Sequence, residues 1–127
     1  MKNLNVLTLV LIALLTFSFT AYSQEKAAHL LNNTSFQKEI EKTEVQLVDV
    51  RTPKEYAEGT IEYAKNIDFL NENFLEQTKT LSKDKPVYIF CKSGKRSEKA
   101  RNTLLENGFK QVYELDGGYT KWVEVKK

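Results

Sequence analysis

The chain has 127 residues, 41% of them hydrophobic and 28% charged, a globular balance that excludes intrinsic disorder, and a length that excludes two separately cored domains. Its single cysteine excludes an intrachain disulfide framework. The net charge is only +2, with mixed signs and no basic stripe of the kind a nucleic-acid binder carries. One short cluster, Lys92, Lys95, Arg96, Lys99 and Arg101, follows Cys91 directly and reads as a local anion site.

Met1–Ser23 reads as a secretion signal. Lys2 is the basic start, Val6–Thr20 an uncharged run rich in Leu, Val, Ile and Phe, and Ala21 and Ser23 are the small residues that place cleavage before Gln24. An uncleaved anchor is the alternative, but the run is shorter than the ~20 apolar residues of a spanning helix, and Thr16, Ser18 and Thr20 interrupt its end. The expected location is periplasmic or secreted, with no stable membrane association after cleavage.

Residues 24–127 contain no linker, low-complexity tract or repeat and form one domain. Gln24–Lys42 reads as helix in two pieces, with Ser35 capping the second and Phe36 and Ile40 sharing a face. Val45–Val50 is a buried strand, followed by a short helix that has Pro53 at its first position and Gly59 at its close. Asn66–Phe69 reads as a short strand, and Asn71–Leu81 as a helix carrying Phe74 and Leu75. Pro86–Cys91 is the clearest strand, almost continuously apolar, as a strand covered on both faces should be. Lys92–Arg96 is then a loop, and Ser97 caps a helix that presents Ala100, Leu104 and Leu105 and ends at Gly108. Gln111–Leu115 is the last strand, leading through Asp116-Gly117-Gly118 into a helix with Tyr119 and Trp122. Strands alternating with helices predict an α/β domain with a mainly parallel sheet, whose ligand site lies beyond the carboxyl ends of its strands. Cys91 stands at such an end.

Cys91-Lys92-Ser93-Gly94-Lys95-Arg96-Ser97 joins a buried strand to a helix N-terminus. A thiol there faces unpaired backbone N–H groups and the positive end of a helix dipole, and both favour a thiolate. The bland alternative is a buried cysteine acting as a small hydrophobe. A reactive thiol in an exported chain is an oxidation liability, so its presence argues for use. Four residues separate Cys91 from Arg96. A cysteine-dependent phosphatase needs one more to wrap a phosphate, so the tighter loop suits a smaller target, such as a sulfur atom carried on the cysteine. A P-loop reading of Gly94-Lys95 fails for want of the earlier glycine and of Ser or Thr at position 96.

Three motifs, in order, resemble the rhodanese family. Leu47-Val48-Asp49-Val50-Arg51 with Thr52–Gly59 resembles its first signature, Val87–Ser97 its Cys-x-x-Gly-x-Arg-Ser loop, and Leu115-Asp116-Gly117-Gly118-Tyr119 to Trp122 its closing motif. The resemblance implies a rhodanese-like fold, a parallel sheet with helices on both faces, and a persulfide on Cys91. It implies that backbone N–H groups of residues 92–97 hold the transferred sulfur, and that Lys92, Lys95 and Arg96 attract an anionic donor such as thiosulfate. A thiol or cyanide would be the acceptor. It also implies that Asp49 and Arg51 help brace the site, although they read equally well as a structural ion pair, and the two lysines have an alternative as solvated loop charges. One departure stands out: Gly59-Thr60-Ile61-Glu62-Tyr63-Ala64 replaces the family's Gly-His-Ile-Pro-Gly-Ala, altering the loop near the site but not the cysteine loop.

No metal or cofactor is expected, since His29 has no ligand partner nearby, and Tyr119 and Trp122 read as packing. Two functions from different classes remain. One is an exported sulfurtransferase, which the presence of both Cys91 and Gly94 favours. The other is a sulfur-binding or partner-docking module without significant thiosulfate turnover. A phosphatase or arsenate reductase is disfavoured by the short loop and by the lack of a second cysteine.

Overall fold

Alternate apolar side chains on a strand buried from both sides must meet a different layer of helices on each face. In the computed structural model, which describes residues 28–43 and 45–127 together with Asn5, Val6, Thr8, Val10 and Ile12, they do. Apart from those five positions, the expected secretion signal lies outside the described residues, as does the start of the expected N-terminal helix. The strands are β1 (Leu30–Leu31), β2 (Gln46–Asp49), β3 (Lys65–Asn66), β4 (Val87–Phe90) and β5 (Val112–Leu115). They form a 5-stranded sheet of order β1-β5-β4-β2-β3, and every pairing is parallel. The helices are α1 (Asn33–Ile40), α2 (Pro53–Glu58), α3 (Phe74–Gln77), α4 (Lys95–Glu106) and α5 (Gly118–Val125). The fold is the expected α/β architecture.

β4 is central and all four of its residues are buried. Ile89 and Cys91 join Val48, Val50 and Val112 on one face, packed with Phe74 and with Ala100 and Leu104 of α4. Tyr88 and Phe90 join Leu47 and Leu115 on the other, against Phe36 of α1 and Trp122 of α5. Each large side chain so buried contributes about 1.5–3 kcal/mol. The placement of β4 in this sandwich delivers Cys91 to the rim where the strands end.

Five sequence expectations are corrected. Leu30–Leu31 is an edge strand rather than helix, because β5 offers a free edge: Leu30 pairs with Glu114 and Leu31 with Leu115. The helix that follows is capped by Asn32, whose side chain accepts the Ser35 N–H at 2.8 Å, so Ser35 is inside it. β3 is formed by Lys65–Asn66, one residue earlier than expected, in register with Val48 and Asp49; Ile67 and Phe69 still donate to the Asp49 and Val50 carbonyls. The helix expected over 71–81 is cut to α3 and a 3₁₀ turn at Thr78–Thr80. There the Thr78 and Thr80 hydroxyls donate to the carbonyls of Leu75 and Gln77, and such back-bonding bends a helix. Finally, α4 begins at Lys95 with Gly94 as its cap, leaving Ser97 buried within the first turn.

Candidate active site

β4 ends at Phe90, so Cys91 is the first residue past the sheet, 1% exposed. Its backbone is held from behind by the start of α5: Tyr119 N–H donates to the Cys91 carbonyl at 2.8 Å, and Thr120 N–H to the Lys92 carbonyl at 3.1 Å. That approach requires Gly118, where a Cβ would lie 2.5 Å from the Lys92 oxygen and 2.7 Å from the Cys91 oxygen. With its carbonyls turned toward α5, the loop curls back over the sulfur. Gly94 N–H donates to Cys91 Sγ at 3.0 Å. Gly94 has φ +117°, yet nothing lies within 4 Å of where its Cβ would be, so the need for glycine there is conformational rather than spatial. The first N–H groups of α4 have no partner within the helix, and its dipole places partial positive charge at this end.

Behind the sulfur stands Ser97. Cys91 Sγ lies 3.6 Å from Ser97 Oγ, which also lies 3.0 Å from the Gly94 carbonyl and 2.9 Å from Glu114 Oε1. Ser97 is fully buried and Glu114 is 6% exposed. Glu114 belongs to β5, in register with Ile89 of β4, and so reaches the same face as Cys91.

A second group ties α2 and the following loop to the site. Asp49 and Arg51, both buried, form a bidentate pair with contacts of 2.7 to 3.2 Å. Arg51 also donates to the Gly59 carbonyl at 2.7 Å and stacks its guanidinium 4.2 Å from the Tyr119 ring centroid. Thr60 donates to Asp49 Oδ2 at 2.9 Å, so the residue that departs from the family pattern joins this network. Arg96 is held by Glu55 of α2 through contacts of 2.7 and 3.0 Å. This bond holds the Glu55 carboxyl down at about 2 and raises Arg96 further. Thr52 caps α2 in a reciprocal box with Glu55, leaving that carboxylate aimed at Arg96.

Cys91, Gly94 and Ser97 therefore converge, Lys92 and Ser93 are exposed on the loop and Lys95 at the start of α4, and Asp49 and Arg51 sit in the neighbouring network. Sequence reasoning assigned no role to Glu55 or Glu114, and marked Thr60 as a change in the loop without its bond to Asp49. The Thr52-x-x-Glu55 spacing signals a cap but not its partner on α4, and a glutamate inside an apolar strand is the one signal that marked Glu114. Among the described residues, no group of three or more His, Cys, Asp or Glu side chains is arranged to hold a metal ion. Chemically, the arrangement presents one sulfur to the Gly94 N–H at the positive end of α4, with the Ser97 hydroxyl behind it.

The rhodanese-like domain pattern matches residues 32–125, so the chain belongs to the rhodanese family. Protein YqhL of Bacillus subtilis is 36% identical over 96% of this chain and 94% of its own length. A thiosulfate sulfurtransferase, GlpE of Shewanella oneidensis, is 38% identical over 63% of this chain and 77% of its own. A tRNA uridine(34) hydroxylase of Acinetobacter baumannii is 33% identical over 87% of this chain, which spans only 37% of that enzyme. Among solved structures, a rhodanese-related protein of Thermoplasma volcanium superposes with a TM-score of 0.67 at 28% identity, covering 76% of this chain and 92% of that one.

Proposed function

We propose that this protein is an exported sulfurtransferase that carries sulfane sulfur on Cys91. The Cys91 thiolate attacks the outer sulfur of thiosulfate, the sulfur–sulfur bond of the donor breaks, and sulfite leaves with the electron pair. The resulting persulfide anion rests against the Gly94 N–H and the N-terminus of α4. A thiol or cyanide then takes the outer sulfur and returns Cys91 as thiolate. The observation that carries this reading is the Gly94 N–H bond to Cys91 Sγ at 3.0 Å at a helix N-terminus. Lys92 and Lys95 draw the anionic donor in, while Arg96, engaged by Glu55, holds the loop in place.

The 1% exposure of Cys91 also suits a second reading, a module that holds sulfur or docks a partner without turning thiosulfate over. One experiment decides between them: intact mass after thiosulfate, followed by thiocyanate release with cyanide. The expected result is a gain of one sulfur atom, multiple turnovers, and loss of both in Cys91→Ser. A persulfide that forms without turnover selects the second reading. Export is tested separately, by N-terminal sequencing of the native protein, which is expected to begin at Gln24.

A further inference from the structure

Ser97 Oγ has one proton and three neighbours that compete for it or supply another. Cys91 Sγ is 3.6 Å away, the Gly94 carbonyl 3.0 Å and Glu114 Oε1 2.9 Å. Both oxygens are acceptors when Glu114 is ionised, so a single hydroxyl proton cannot serve them together. Two arrangements of the protons around Ser97 follow. In the first, the Cys91 thiol donates to Ser97 Oγ and Ser97 donates to the Glu114 carboxylate. In the second, a protonated Glu114 donates to Ser97 Oγ and Ser97 donates to the Gly94 carbonyl, while Cys91 is a thiolate accepting the Gly94 N–H. Gly94 N–H points at the sulfur in either case.

The two patterns differ by one proton displaced along the chain of hydrogen bonds. The Cys91 S–H bond breaks as a Ser97 O–H bond forms, and the original Ser97 proton moves to Glu114 Oε1. The new Ser97 hydroxyl then turns to Gly94. Atoms and charge balance within the site, and no outside base is required. We infer that Glu114 is the internal acceptor of the Cys91 proton, reached through Ser97. Glu114 touches neither donor nor sulfur and is a positioning residue. The inference deepens the sulfur-transfer reading and rests on it, because a thiolate is the nucleophile that reading needs.

The surroundings of Glu114 bear on how it titrates. Lys95, Glu98 and Arg101 of α4 and Asp116 after β5 line with it a cavity of about 330 Å³ beside Gly94. On the β1 side, the His29 carbonyl accepts the Glu114 backbone N–H at 2.8 Å, and the His29 ring leans on Tyr113. On the β4 side the opposing residue is apolar Ile89.

The test is a pH titration of the reduced full-length protein, followed by the ultraviolet band of the thiolate with Cys91→Ser subtracted. The chain's single cysteine makes the signal unambiguous. The wild type is expected to develop thiolate in two steps, because one proton is shared between sulfur and Glu114 across an intermediate plateau. Glu114→Gln donates an amide N–H to Ser97 as the acid does but cannot accept the proton, so it loses one step. His29→Gln retains both. An independent measurement needs no variant of Glu114: a protonated-carboxyl stretch in the infrared spectrum at neutral pH that disappears in Cys91→Ser. A single-step wild type, two steps surviving in Glu114→Gln, loss of a step in His29→Gln, or absence of that infrared band would each overturn the inference. The titration uses no sulfur donor, so its failure leaves sulfur transfer standing. Conversely, a two-step titration in a protein that never takes sulfur from thiosulfate would refute the function and retain the relay.

Discussion

Two glycines beside Cys91 have positive φ for different physical reasons, and the difference is measurable. Gly94, at +117°, has open space where a Cβ would go, whereas at Gly118, at +62°, a Cβ would run into the Cys91 and Lys92 backbone oxygens. Gly94→Ala is expected to cost about 1–2 kcal/mol of stability through backbone strain alone, with loss of sulfur transfer as the N–H turns from the sulfur. Gly118→Ala adds overpacking against a backbone that cannot yield, and is expected to cost at least twice as much. Chemical denaturation of the pair orders them, and equal losses would contradict the distinction. Tyr63 provides the opposite case. It has φ +68° at the third position of the turn closed by Ala64 N–H on the Ile61 carbonyl, and it is 92% exposed. A side chain there gains no packing and carries left-handed strain, so Tyr63→Gly is expected to raise stability by about 1 kcal/mol. A fall in the unfolding midpoint would show that the exposed ring contributes more than the strain removes.

At the scale of elements, α2 and the first turn of α4 are joined by Glu55 and Arg96, side chains about one quarter exposed. The Arg96 guanidinium lowers the folded Glu55 carboxyl from 4.5 to about 2. A depressed carboxyl stabilises the fold fully above its unfolded value, and the contribution is lost as pH falls from about 4.5 through about 2. Solvent screening reduces the gain to about 1 kcal/mol. Glu55→Gln is therefore expected to be less stable than wild type by that amount at neutral pH, with the gap closing below pH 4.5. Urea unfolding at a series of pH values checks it, and a gap that stays constant into acid would assign the effect to the cap of α2 instead.

At the scale of the molecule, the Asp49–Arg51 pair links the end of β2 to the loop after α2 and to the ring of Tyr119 on α5. Removing one partner leaves the other charge buried, which costs about 3–5 kcal/mol. Asp49→Ala is expected to lose stability in that range, and also to loosen the Gly59–Thr60 loop, whose Thr60 hydroxyl bonds Asp49. Thermal unfolding with amide exchange across residues 56–64 reads both effects. A loss near zero would mean that Gly59 and Tyr119 alone satisfy Arg51.

The sequence by itself determined what is encoded within a few residues: β2, β4 and β5 with their buried faces, the helix starting at Pro53, the strand-to-helix loop that puts Cys91 at the sheet's rim, and the glycines before α5. Those features follow from side-chain periodicity, capping and the conformational range of glycine. Only the tertiary structure decided the rest. Leu30–Leu31 is strand because β5 has an unpaired edge, a property of the assembled sheet that no local pattern carries. Arg96 meets Glu55 across 41 residues and Ser97 meets Glu114 across 17, pairings set by which strands lie side by side. The cation that reads as a ligand for an anion is thus already bound to a carboxylate, and the serine that reads as a cap lies inside the helix and connects the sulfur to a buried acid. Residue types announce which chemistry is possible, but burial and neighbours across the sheet select which partner each charge and each proton has.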